Sequence, residues 1–270
     1  GIVEKARSGE YDILITKNSS ELISARQKGL LVQLPPNVFT HVPEGFKDNE
    51  NTWFLMSYRL RAFYVRDTTT DWPRTYADLA KPQYKGRICI RKLTHNYNLE
   101  LFGTLLKDMG PHRFTAWFKQ FKANLARDPF GNDRNQVKGV FEGGCDIAIA
   151  NTYYRGLMEN NPDQKAWVDA TIMYIPDQGP NDNGAVALFA GVGAMTKKGA
   201  NSSFLSHLLK DDVQRLVSVK NFEYPLKPSN TSPFVSQFGS EQGLDYRTLT
   251  IHPNIQNELF DYRIRSYIII

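Results

Sequence analysis

Apolar and polar positions fall into blocks that read as strands followed by helices. Tyr11 to Thr16 is a short apolar run of buried-strand type, and a polar turn leads from it into a helix from about Ser20 that stops at Gly29. A Pro-rich loop around Pro35 and Pro36 precedes an extended aromatic stretch from Trp53 to Val65. After a helical turn near Tyr76 to Leu79, Arg87 to Ile90 reads as a strand. Helices are expected from about Asn98 to Met109 and again after Pro111. The second carries Phe114, Trp117, Phe118 and Phe121 at helical spacing, a stripe that reads as core.

A helix from about Asn135 to Glu142 ends at Gly143 and Gly144, and the strand Cys145 to Ala150 rises from it. The chain then turns at Asn151 and Thr152 into a helix carrying Tyr153 and Tyr154. Thr171 to Ile175 and Ala185 to Met195 are further strand-like runs, followed by two helices up to about Val219. This alternation predicts an α/β protein with mostly parallel sheets. From about Ser236 to Ile270 the periodicity is lost, which reads as a peripheral tail. Gly1 to Arg7 looks like the end of a helix with no signal peptide before it, so the chain is expected to begin in mid-domain.

With 270 residues, 41% hydrophobic and 23% charged, the chain has room for one large domain or two lobes. Its formal charge of +5, from 33 basic against 28 acidic residues, is scattered, which argues against nucleic acid. No window approaches the roughly 18 consecutive apolar residues of a membrane span. Cys89 and Cys145 are too few for a four-cysteine zinc site and read as small buried hydrophobes. A disulfide between them requires that their strands be neighbours, which the sequence leaves open together with the redox compartment. Nucleophile elbow, P-loop and dinucleotide fingerprint are absent, so no enzymatic chemistry is expected.

In open α/β sheets, ligands bind outside the carboxyl ends of strands. Two places put tyrosine there: Tyr97 after the strand Arg87 to Ile90, and Tyr153 with Tyr154 after Cys145 to Ala150. A helix start favours a phenolate by at most about 1 kcal/mol, too little to ionise a group with a reference pKa of about 10. A hard trivalent cation can hold the oxygen deprotonated, and three phenolates would balance its charge. Oxygen donors also select such an ion over zinc or cuprous copper. His95 reads as an exposed loop histidine and His112 as a local helix cap.

Longer motifs add to this. Gly144 to Tyr154 (GCDIAIANTYY), Tyr76 to Cys89 (YADLAKPQYKGRIC), His95 to Asn98, Ala123 to Arg127 with Gly131 to Asp133, and Phe222 to Pro228 occur in an order and spacing that resembles periplasmic ferric-iron-binding proteins of the FbpA/FutA type. The resemblance runs from about Tyr11 to Val235. It implies a two-lobed periplasmic-binding-protein type II fold with two hinge crossover strands, here N-terminally incomplete, because the family's first strand and the ligands it brings have no counterpart. Lobe 1 would comprise residues 1–61 with 186–235, lobe 2 residues 62–185, and residues 236–270 the tail.

By that resemblance Tyr97, Tyr153 and Tyr154 are metal ligands, with Arg59, Arg61 and Asn98 supporting them or an accompanying anion. The implied cargo is Fe3+ with a synergistic anion, held in an interlobe cleft. The implied partner is the permease of an ABC transporter, and the implied location is the periplasm. The sequence departs from the family at Asn18, where the family has an acidic residue, and at the apolar Ala187 to Gly191. The absent first strand, the apolar crossover and the unmatched aromatic and apolar tail ending at Ile270 raise an alternative: a degenerate homologue without metal that serves as a structural subunit of a larger assembly, in an organelle such as the mitochondrion.

Overall fold

The computed structural model describes residues 8–239 and 244–247. The helix end expected at Gly1 to Arg7 and most of the expected tail lie outside the described residues. In chain order the elements begin with β1 (Ile13–Thr16), α1 (Ser19–Gln27), β2 (Trp53–Arg66), β3 (Ile88–Cys89), α2 (Asn96–Met109), α3 (Pro111–Ala123) and α4 (Asp133–Phe141). They continue with β4 (Ile147–Asn151), α5 (Tyr153–Glu159), α6 (Lys165–Asp169), β5 (Thr171–Tyr174) and β6 (Ala185–Ala194). The short helices α7 (Lys197–Ala200) and α8 (Ser203–His207) precede α9 (Asp211–Asn221), β7 (Tyr224–Pro225), α10 (Pro233–Ser236) and β8 (Tyr246–Arg247).

Two compact units share the described residues, one reaching Tyr58 and resuming from Leu188 to Ser236, the other running from Arg59 to Ala187 and including residues 237–239 and 244–247. The boundaries fall inside β2 and β6, so these two long strands each contribute residues to both units. Their composition suits that role. β6 is buried at every position, the mark of a strand covered on both faces.

In the first unit β1 runs antiparallel to β6, from Ile13 opposite Ala194 to Thr16 opposite Gly191, and β7 pairs antiparallel with β2 at Ser57 and Tyr58. Gly191 answers a packing demand: a Cβ there would stand 2.6 Å from the Leu22 side chain of α1 and 2.8 Å from the carbonyl oxygen of Phe54. Tyr58 stacks on Tyr224 at 5.1 Å between ring centroids, closing the aromatic side of this core.

In the second unit β4 lies between β3, to which it is parallel, and β2, to which it is antiparallel from Arg61 opposite Asn151 to Val65 opposite Ile147. β5 is also antiparallel to β2, and β8 is parallel to β6. The sheets are therefore mixed where the sequence suggested mostly parallel ones. The α/β alternation dictates parallel neighbours only for strands joined by a helix, such as β3 and β4, while long β2 passes them in the opposite sense.

The aromatic stripe of α3 is core, as its spacing predicts. Trp117 stacks on Phe121 at 5.2 Å and Phe114 on Phe118 at 5.6 Å, with Phe102 of α2 against Trp117, Phe118 and Phe121. The Trp117 indole N–H donates to the carbonyl of Tyr76 at 3.1 Å, so the one polar atom of the stripe is satisfied. Cys89, at the end of β3, and Cys145, just before β4, form a disulfide with Cα atoms 6.0 Å apart. Pairing β3 with β4 is what brings them within reach, and both sulfurs join an apolar cluster containing Ala148, Val137 and Val140.

Candidate functional site

All six residues singled out in the sequence fall in the second unit. Strand β2 carries Arg59 and Arg61, the start of α2 carries Tyr97 and Asn98, and the turn from β4 into α5 carries Tyr153 and Tyr154. Each tyrosine sits just beyond the carboxyl end of a strand, so the parallel pair β3 and β4 delivers both groups to one edge of the sheet.

The structure brings the three tyrosines together. The rings of Tyr153 and Tyr154 lie 4.1 Å apart between centroids at 30°, and Tyr97 shares the Arg59 guanidinium with Tyr153. Burial pushes the Tyr153 phenol far above its usual range, and the neighbouring Tyr154 and Tyr97 add to that. Tyr154 is raised as well, first by burial and then by the Asp133 carboxylate. Without a cation the pair therefore stays protonated.

Guanidinium groups flank the rings. The Arg59 carbon is 5.4 Å from the Tyr97 ring centre and 6.0 Å from that of Tyr153, Arg91 is 5.1 Å from Tyr97, and Arg134 is 5.8 Å from Tyr154. Such cations favour a phenolate once a proton has left. Arg61 takes a different position. It is fully buried, and its guanidinium donates to Asp133 at 2.7 Å, to Asn98 Oδ1 at 2.8 Å and to Asn151 Oδ1 at 2.9 Å.

Asp133 is the charge centre behind the tyrosines. Fully buried at the first position of α4, it accepts from Arg61, from Arg91 at 3.3 Å and from the backbone N–H of Asn151 at 2.8 Å. Its helix begins there because Asn132 and Asn135 cap it reciprocally, side chain to backbone, at 3.1 and 3.0 Å.

Sequence reasoning did not single out Asp133, Arg91, Arg134 or Asn151. An Asp at a helix start reads as an ordinary partner of the helix dipole, and an Arg beside a Lys reads as solvated surface. The one local signal is Asn151, a polar residue that ends a strand buried at every position.

His95 differs from its expectation. It is half-buried, and its Nδ1 accepts the backbone N–H of Tyr97 at 3.2 Å, which makes it the cap of α2. Its ring meets Tyr97 edge-on, with centroids 4.6 Å apart. Burial, helped by Arg91, pushes its pKa down to about 4, so it is neutral at ordinary pH. His112 does not cap α3, whose start has no side-chain cap bond. Helix α5 is only seven residues long, so its dipole adds little at Tyr153 and Tyr154.

Chemically, the arrangement offers oxygen donors. Among the described residues no group of three or more His, Cys, Asp or Glu side chains could hold a metal ion. What remains is three phenols gathered under a cover of arginines, a donor set suited to a hard cation of high charge.

Comparison with known proteins gives a consistent picture. Residues 10–238 match the profile described as bacterial extracellular solute-binding protein. Iron uptake protein A1 of Synechocystis sp. is 32% identical over 250 residues, spanning 88% of this chain and 68% of the relative. The major ferric iron-binding protein of Neisseria meningitidis serogroup B is 24% identical over 246 residues, 86% of this chain and 71% of its own. Among solved structures, apo ferric ion-binding protein A of Pasteurella haemolytica superposes with a TM-score of 0.86 at 31% identity, covering 97% of this chain and 84% of that one. A Trichodesmium protein in complex with iron and citrate superposes with a TM-score of 0.85 at 26% identity, over 98% of this chain and 87% of its own.

Proposed function

This chain belongs to the bacterial extracellular solute-binding protein family, and on that premise we propose that it captures ferric iron for an ABC transporter through the phenolates of Tyr97, Tyr153 and Tyr154. The observation that carries the proposal is the gathering of three phenols at one edge of the sheet: Tyr154 lies 4.1 Å from Tyr153 ring to ring, and Tyr97 shares the Arg59 guanidinium with Tyr153.

Capture works by exchange of protons for metal. Burial holds the phenols neutral, and Fe3+ supplies the positive charge that makes their ionisation favourable. As the oxygens become negative, Arg59, Arg91 and Arg134 are already beside the rings to stabilise them. Three oxygens leave positions on the ion open, and a small synergistic anion is the occupant we assign to them. Release follows the reverse course, since protons compete with the metal.

The family binds solutes and does not catalyse reactions, and its members work outside the cytoplasm. The Cys89–Cys145 disulfide supports the same location, because such bonds persist in oxidising compartments. Among the described residues no helix is long and apolar enough to cross a membrane. We assign the permease of an iron transporter as the partner. Nothing in the fold or the relatives favours a metal-free structural subunit.

Ferric citrate added to the purified protein tests the proposal. A visible phenolate-to-iron charge-transfer band is expected, fading as the pH falls and absent from a Tyr153→Phe, Tyr154→Phe double variant. A native protein without the band, or a band unchanged in the double variant, refutes the assignment.

A further inference from the structure

Resting on the iron-binding reading, we propose that Arg61 is a positioning residue: with Asn98 and Asn151 it forms a bracket that sets the distance between Tyr97 and the Tyr153–Tyr154 pair without touching the metal. Arg61 donates through one terminal nitrogen to Asn98 Oδ1 at 2.8 Å and through the other to Asn151 Oδ1 at 2.9 Å. Asn98 directly follows Tyr97 at the start of α2, and Asn151 ends β4 two residues before Tyr153. One planar side chain thus reaches the two backbone segments that present the tyrosines.

Both ends of the bracket are anchored. The guanidinium is held by Asp133 at 2.7 Å, and Asp133 also accepts the backbone N–H of Asn151 at 2.8 Å. The Arg61 carbonyl accepts the Tyr76 hydroxyl at 2.6 Å. On the other arm, the Asn98 amide donates to the carbonyls of Arg91 and Lys92, each at 3.1 Å, which ties down the loop leading from β3 to α2. Arg61, Asn98 and Asn151 are all fully buried, so water does not compete for these bonds.

The guanidinium geometry is what matters here. Its donors point along fixed directions in one plane, whereas a lysine ammonium is a compact charge that cannot hold the same separation of acceptors. Metal–ligand distances tolerate only about 0.2 Å, so a small drift of either tyrosine segment would cost affinity even with all three phenols present. Charge alone predicts that lysine substitutes well for Arg61; the bracket predicts that it does not.

The experiment compares Arg61→Lys, Asn98→Ala, Asn151→Ala and the double variant Arg61→Lys, Asn98→Ala with the native full chain. Three quantities are read: Fe3+ affinity by competition with citrate, the wavelength of the phenolate band, and melting temperature. Arg61→Lys is expected to weaken affinity at least tenfold and to shift the band, in a protein that still melts cooperatively. Each asparagine variant weakens affinity on its own, and Asn98→Ala costs less than a further twofold once Arg61 is lysine, because its arm of the bracket is already gone.

Arg61→Lys affinity within twofold of native, or effects of Arg61→Lys and Asn98→Ala that simply multiply, overturns the bracket. Should the lysine variant not fold, Asn98→Ala and Asn151→Ala decide, and affinity within twofold of native in both overturns it equally. A native protein without the phenolate band would instead reject the iron-binding reading, so the two failures are distinguishable.

Discussion

The buried hydroxyl of Tyr76 accepts the backbone N–H of Val186 at 3.0 Å and thereby ties the loop after β2 to β6. The same oxygen donates to the Arg61 carbonyl on β2 at 2.6 Å, so one side chain bridges β2 and β6. Burial raises its pKa well beyond the ordinary phenol range, so it donates at every physiological pH. Tyr76→Phe removes both bonds and leaves a carbonyl and an N–H buried without partners, at a cost of about 1–3 kcal/mol for each group. Urea unfolding of the variant should show a midpoint lowered accordingly, with an unchanged slope.

Asp177 should make stability depend on pH between about 4 and 6. Burial pushes its carboxyl up from 3.8 to about 6, against the pull of Arg247. The folded state therefore binds more protons than the unfolded chain in this window, and stability falls as pH rises through it, by about 3 kcal/mol in all. Asp177→Asn mimics the neutral form and should flatten that part of the profile. Melting temperatures recorded at half-unit pH steps check the sign.

The disulfide between Cys89 and Cys145, 56 residues apart in sequence, restricts the unfolded chain. Loop entropy assigns such a crosslink about 4 kcal/mol. Reduction, or a Cys89→Ser, Cys145→Ser variant, should lower the melting temperature by several degrees at least. Scans with and without a thiol reductant provide the comparison.

Gly199 has no room for a side chain. A Cβ there would stand 2.1 Å from the carbonyl oxygen of Asp12, a backbone atom that cannot swing away. Gly199→Ala should destabilise the first unit by about 1–3 kcal/mol, the cost of overpacking. Chemical denaturation measures it, and an unchanged midpoint would contradict the packing described.

Parts of this architecture were legible in the chain and others were not, for physical reasons. The strand–turn–helix around Asn151 to Tyr154 was readable because the apolar run Ile147 to Ala150 ends at polar residues, and the α3 stripe because aromatic residues recur at helical spacing. The sense of β2 was not, since a strand's neighbours follow from topology and not from its own side chains. Pairing of the two cysteines depended on the same unseen adjacency of β3 and β4.

At the site, tyrosines beyond strand ends stood out by position. Asp133, by contrast, acquires its importance only through partners far away in sequence, 72 residues from Arg61 and 42 from Arg91. His95 shows the limit of local reading in another way. Polar neighbours suggested exposure, yet the helix start needed an acceptor and the imidazole supplied it.

The crosslink has one more consequence. Cys89 closes β3 and Cys145 leads into β4, the two strands that hand the chain on to Tyr97 and to the Tyr153–Tyr154 pair. The gauge between those strands is thus set by a covalent bond when the protein matures, before any cargo arrives. On the proposed function, reducing that bond would loosen the two tyrosine-bearing segments and weaken the hold on iron even in a chain that stays folded.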